Sequence, residues 1–160
     1  MLRIVLLALS VIFAAGLLFV NIYTSIVDAP NWGSSLPESI SVARQYYSVA
    51  NPGTFFRVAS PLNQALAVIC LIACWRSGRV RYYAIAALLL AVLADVITFG
   101  YFYPRNYIIF EAPIETSLNG IRQAIAEWSS MNWVRSGICM IQLFLAMSML
   151  VMTTKKQADL

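Results

Sequence analysis

Three short polar groupings stand out in an otherwise apolar chain. Asn132 and Arg135 are three residues apart, so on a helix they share a face; Asp95 sits inside a long apolar run near Thr98. Arg57, Ser60, Asn63 and Gln64 crowd the first half of another run. Carboxylate, guanidinium, amide and hydroxyl groups in that company can do two kinds of chemistry. An arginine can hold an oxyanion while a carboxylate takes a proton, or the same groups can form an ion network that fixes helix register. An ion or proton pathway is a third reading. The chain has no His at all, which removes the usual zinc and haem ligand and the usual general base. Cys70, Cys74 and Cys139 lie in apolar stretches, and the C-x-x-x-C spacing of the first two differs from that of thiol oxidoreductases. They read as small packing residues, and no metal site is expected.

The elements that must carry these groups are membrane helices. A hydrophobic fraction of 61% and a mean hydropathy of +0.75 exceed what soluble chains show, and the charges cluster between apolar runs. The net charge of +4 therefore reads as topology and not as a nucleic-acid footprint. Spans are expected at about 2–23, 55–75, 82–103 and 132–152, each near the ~20 residues that cross a hydrocarbon core. The first is longer than a signal-peptide core and reads as a retained helix. Arg76 to Arg81 is a turn short enough to demand an antiparallel pair.

Two longer connections remain. Pro30 to Gly33 reads as a turn, followed by an amphipathic helix with Ser35 as cap, Pro37 in its first turn and Glu38 completing a capping box. Asn51-Pro52-Gly53 should end that helix, Pro104 should stop the third span, and Ser117 to Trp128 should form a second amphipathic helix before the fourth. Thr153 to Leu160 reads as a polar tail. The expected architecture is all-α: a four-transmembrane-helix antiparallel bundle, one membrane domain over 1–160, with short amphipathic helices in the two extracytoplasmic loops. Arg3, the Arg76–Arg81 turn, Lys155 and Lys156 fall at one end. The positive-inside rule makes that end cytoplasmic and the protein multi-pass in a bacterial inner (plasma) membrane.

Counting ~1.5 Å per residue from the basic end puts Asp95 about 20 Å up, Asn63 about 18 Å, and Arg57 and Arg135 about 27 Å. Either arginine can reach down to Asp95, so an ion pair is expected, its partner open. Phe55, Phe56, Phe99, Tyr101, Phe102, Tyr103, Trp128 and Trp133 could wall the space between the helices or form an interfacial belt.

At Trp128-x-x-x-Asn132-x-x-Arg135, with Thr98 and the Tyr103-Pro104-Arg105-Asn106 turn, the chain resembles the anthrone-oxygenase-like family of small four-helix membrane proteins, most of them bacterial and of unknown function. The resemblance implies that a few fungal relatives oxidise anthrones to anthraquinones with O₂ and no known cofactor. Asn106, Trp128, Asn132 and Arg135 carry over residue by residue. On that analogy Arg135 and Asn132 would stabilise an enolate oxygen, and Asp95, by elimination of His, would be the base. The expected catalytic residues are thus Asp95 and Arg135. The expected ligand contacts are Arg57, Asn63, Asn106, Trp128, Asn132 and Trp133, around a small aromatic or quinone-like molecule in an outward-facing pocket. The rival from another class is a non-enzymatic scaffold or subunit that docks a copy of itself or another membrane partner.

Overall fold

The computed structural model describes residues 1–158, with side-chain surroundings through residue 155, and every element in that range is helical. Leu2–Tyr23 forms α1, which passes through a wide π turn at Thr24–Asp28 into α2, Ala29–Gly33. A short α3, Glu38–Tyr46, follows, then α4, Pro52–Cys74. Val80–Ile97 forms α5, which continues through a second π turn, Thr98–Phe102, into α6, Tyr103–Phe110. The last helix, α7, runs unbroken over Ile114–Ala158.

Four helical stretches, Leu2–Gly33, Pro52–Cys74, Val80–Phe110 and Ile114–Lys155, are long and apolar enough to cross a membrane. Side chains such as Ile12, Phe19, Ile72, Val96 and Phe144 are more than half exposed, as lipid-facing positions should be. The protein is a multi-pass membrane bundle in which α1 packs on α4 and α7, and α5 on α4 and α7.

Several expected boundaries shift. Pro30 and Pro104 neither turn nor stop the chain; each follows a π turn and lies in the first turn of the helix that continues. A proline lacks the N–H of the ladder and its ring crowds the carbonyl four residues back. The π turn has already widened that ladder, and the prolines follow where it was interrupted. The Ser117–Trp128 helix and the fourth span are one element, because no breaker separates them. The tail is likewise helical through Ala158, and residues 159–160 lie outside the described range. At α3 the expected Ser35 cap does not form: Pro37 takes the N-cap position with no side-chain bond, and Ser39 Oγ donates to the Trp32 carbonyl (2.8 Å). Asn51, expected to end α3, caps α4 instead. Its Oδ1 accepts from the Thr54 amide at 3.1 Å, and Thr54 Oγ1 accepts from the Asn51 amide at 3.3 Å.

Apolar packing is concentrated at the two ends. At the termini Leu7, Cys70, Cys74, Ala84, Ala87, Ala146 and Met149 are buried together, and the Arg3 guanidinium bonds the Ser77 hydroxyl of the short turn. At the far end Trp32, Ile40, Phe102, Ile109, Ile121 and Trp128 form a second core beneath α3 and α6. Arg44 of α3 ties this cap down by donating to the Ile109 carbonyl from Nε (3.0 Å) and Nη2 (2.6 Å). Between the two cores lies the polar layer.

Candidate functional site

Asn132, wholly buried on α7, is the hub of that layer. Its amide nitrogen lies within hydrogen-bond distance of three acceptors on the first helix: the Asn21 carbonyl (2.9 Å), Thr24 Oγ1 (3.1 Å) and Ser25 Oγ (2.7 Å). Its Oδ1 accepts from Arg135 Nη2 at 2.6 Å. Arg135 Nη1 donates to Thr98 Oγ1 at 3.3 Å. Thr24 and Thr98 are the first residues of the two π turns, so the Asn132–Arg135 pair is gripped between the two places where the helices widen. Each threonine also bonds its own helix, Thr24 to the Asn21 carbonyl and Thr98 to the Ala94 carbonyl, which fixes the hydroxyls as acceptors for α7.

The Arg135 guanidinium is 5% exposed and stands among rings. Its Cζ lies 4.1 Å from the Phe102 centroid, 5.0 Å from Phe56 and 6.0 Å from Trp128. Ring faces favour a cation, yet they do not neutralise it. Among the described residues the only ion pair joins Arg105 to Glu127 (2.7 Å), so Arg135 has no carboxylate partner. The expected pair with Asp95 is absent, and so is one with Arg57. Asp95 accepts instead from Gln64 Nε2 at 2.5 Å, a neutral neighbour one helix across.

Space surrounds this charge. A cavity of about 120 Å³ is lined by Phe56, Arg57, Ser60, Asp95, Thr98, Phe99, Phe102, Tyr103, Asn106, Trp128 and Arg135. It shares Pro52, Gly53, Arg57, Tyr103, Asn106 and Trp128 with a wider vestibule of about 360 Å³ that reaches Tyr107, Phe110 and Glu111. On the other side of Asp95 and Arg135 lies a small polar cavity of about 20 Å³.

Six of the eight expected site residues line these spaces. Asp95 and Arg135 border both the outer and the inner cavity, Arg57 is exposed at the mouth with Nη2 donating to Thr54 Oγ1 (3.3 Å), and Asn63 borders only the inner cavity, where it accepts from Gln142 (3.2 Å). Asn106 Oδ1 accepts from Trp128 Nε1 at 2.9 Å, setting that indole into the wall. Asn132 borders none of them and acts behind Arg135. Trp133 is half exposed on the outside of α7 and touches none of these cavities. Of the aromatics expected to wall the space, Phe56, Phe99, Phe102, Tyr103 and Trp128 do so; Phe55, Tyr101 and Trp133 do not.

Sequence reasoning missed the first helix. Asn21, Thr24 and Ser25 fall at i, i+3 and i+4, one face, and that spacing was the available signal. It also missed the latch outside the pocket. Arg105 Nε donates to Glu127 Oε2 (2.8 Å), Nη1 donates to the Tyr101 carbonyl (3.1 Å), and the guanidinium lies 3.4 Å from the Tyr101 ring centre. No group of three or more His, Cys, Asp or Glu among the described residues could hold a metal ion.

The fold and this layer define a class: a small multi-pass helical membrane protein with an aromatic-walled, cationic cavity near the end remote from its termini. Within that class the chain belongs to the anthrone oxygenase family, whose sequence pattern it matches over residues 53–145. The match includes Asp95, Asn106, Trp128, Asn132 and Arg135 and excludes the first helix. No curated protein and no solved structure matches the chain.

Proposed function

We propose that the protein binds a small aromatic or quinone-like molecule carrying an oxyanion, in an intramembrane pocket that opens outward from a bacterial plasma membrane with both termini in the cytoplasm. One observation carries the reading: Arg135 is a buried cation, walled by rings, facing a cavity, and without a carboxylate partner. An uncompensated charge in such surroundings is costly, and a flat, delocalised anion would relieve it while stacking on Phe56, Phe102 and Trp128. The basic end of the bundle supports the orientation.

Family membership extends the proposal to cofactor-independent oxygenation of a carbon acid such as an anthrone. Asp95, at the cavity wall, takes a proton from the activated CH₂, and the charge left behind delocalises onto an oxygen held by Arg135. O₂ adds to the carbanion and picks up a proton to give a hydroperoxide. Loss of the second C–H proton with O–O cleavage then gives the ketone and water, so that CH₂ and O₂ become C=O and H₂O. Asn132 positions Arg135 from behind.

The test is O₂ uptake by purified protein with anthrone, comparing wild type, Asp95→Asn and Arg135→Ala. Uptake should fall at least ~100-fold in each variant, the size expected for loss of a general base or an oxyanion donor. Equal rates in all three would end the oxygenase reading.

A further inference from the structure

The small inner cavity offers a site of its own. It has room for about 20 Å³ and is bordered by Asn21, Ser60, Asn63, Asp95, Arg135 and Gln142 among others. Two buried side-chain atoms in this layer have no hydrogen-bond partner, Asn21 Oδ1 and Arg135 Nε, and both belong to side chains that border the cavity. Asn21 is 1% and Arg135 5% exposed, so bulk solvent satisfies neither. One is an acceptor and the other a donor.

We propose that this cavity binds one water molecule, which accepts from Arg135 Nε and donates to Asn21 Oδ1. The chemistry selects water over the alternatives. A monatomic cation would face Arg135, a monatomic anion would face Asp95 and the Asn21 oxygen, and O₂ would leave both polar atoms unpaired. Water alone both donates and accepts, and the space exceeds the ~10–15 Å³ that one water needs. An unpaired buried polar atom costs ~1–3 kcal/mol, so filling the site removes two such penalties.

The occupant also sets how Arg135 meets a ligand. A guanidinium has five N–H donors: Thr98 takes one from Nη1, Asn132 one from Nη2, and the water takes Nε. One N–H on each Nη is left, two donors for an oxyanion. The water site itself does not depend on the ligand proposed above.

Hydroxyl-radical footprinting of the full chain in detergent micelles, in aerated buffer and read by mass spectrometry, tests it. Radicals generated from a buried water label the side chains beside it, here Leu17 and Cys139, which are 6% and 4% exposed and border the cavity. Wild type should be oxidised at both. Asn21→Leu, which fills the cavity and removes the acceptor, should lose at least ~10-fold of that oxidation, and Asn21→Ser, which keeps a hydroxyl acceptor, should retain it. Should Asn21→Leu fail to fold, Asn21→Val, closer to Asn in volume and equally without an acceptor, takes its place with the same expected loss. No oxidation at Leu17 or Cys139 in wild type, or oxidation unchanged in a folded Asn21→Leu or Asn21→Val, would overturn the site.

Discussion

The core at the termini and the polar layer above it are built on opposite rules. At the termini, Ala84, Ala87, Ala146, Cys70 and Cys74 let the helices approach closely, with larger Leu7 and Met149 filling what remains. Small residues do this in membranes, where lipid gives apolar helices no other reason to associate. In the polar layer between the two cores the helices are joined by directional bonds from Asn132 and Arg135, and space is left over. Close packing fixes the terminal core, and the layer above it is arranged around a charge. The cavity can exist only where packing was given up.

Breaking the hub should have the largest effect. Asn132→Leu deletes the bonds to the first helix and leaves an Arg135 donor unpaired. At ~0.6 kcal/mol per interhelical bond and ~1–3 kcal/mol for the buried orphan, the loss is about 3–5 kcal/mol. Thermal unfolding in detergent should fall by roughly 6–20 °C, at ~2–4 °C per kcal/mol for a chain of this size. A variant that melts like wild type would show that this layer, too, is held by packing.

Overfilling the tight end tests the contrast from the other side. Ala84, 1% exposed, has no room for a larger side chain, so Ala84→Leu should cost about 1–3 kcal/mol while leaving ligand affinity unchanged. Equal damage to stability and affinity would mean that the two regions are coupled.

The smallest effect belongs to the cap. Tyr47 packs edge-on against Trp32 and Phe110, and burial, followed by the nearby Asp28 charge, pushes its phenol up to about 12. Its unfolded value is ~10, so the neutral phenol favours the folded state. That contribution is intact below pH ~10 and is lost as pH rises toward 12, because the unfolded chain releases this proton first. A tyrosinate absorbance titration should show a step near pH 12 that Tyr47→Phe removes; the same titration curve for both proteins would contradict it.

Most of the architecture was readable because lipid demands long apolar runs, and four of them are plain in the chain. The continuations through Pro30 and Pro104 were not readable. Proline signals a stop unless the preceding turn is widened, and the widened turns meet Asn132 and Arg135 through Thr24 and Thr98, contacts between distant stretches of chain. Depth counting put Asp95 and Asn63 at one level, and both border the inner cavity. Height along a helix says nothing about angle around it, which is why Gln64 and not an arginine reached Asp95. The same limit misplaced Trp133: one position beyond Asn132 is about 100° around the helix, enough to turn it from the interior to lipid.

Calorimetric titration of the purified protein with a hydroxyanthraquinone and with anthracene, its unoxygenated parent ring system, addresses the buried unpaired charge directly. Wild type should prefer the hydroxyanthraquinone by ~10- to 100-fold, the worth of one charge-assisted hydrogen bond at ~1.5–3 kcal/mol. Arg135→Ala should bind the two alike. A preference that survives in Arg135→Ala, or wild-type protein that does not distinguish the two compounds, would contradict the assignment of Arg135 as the oxyanion holder.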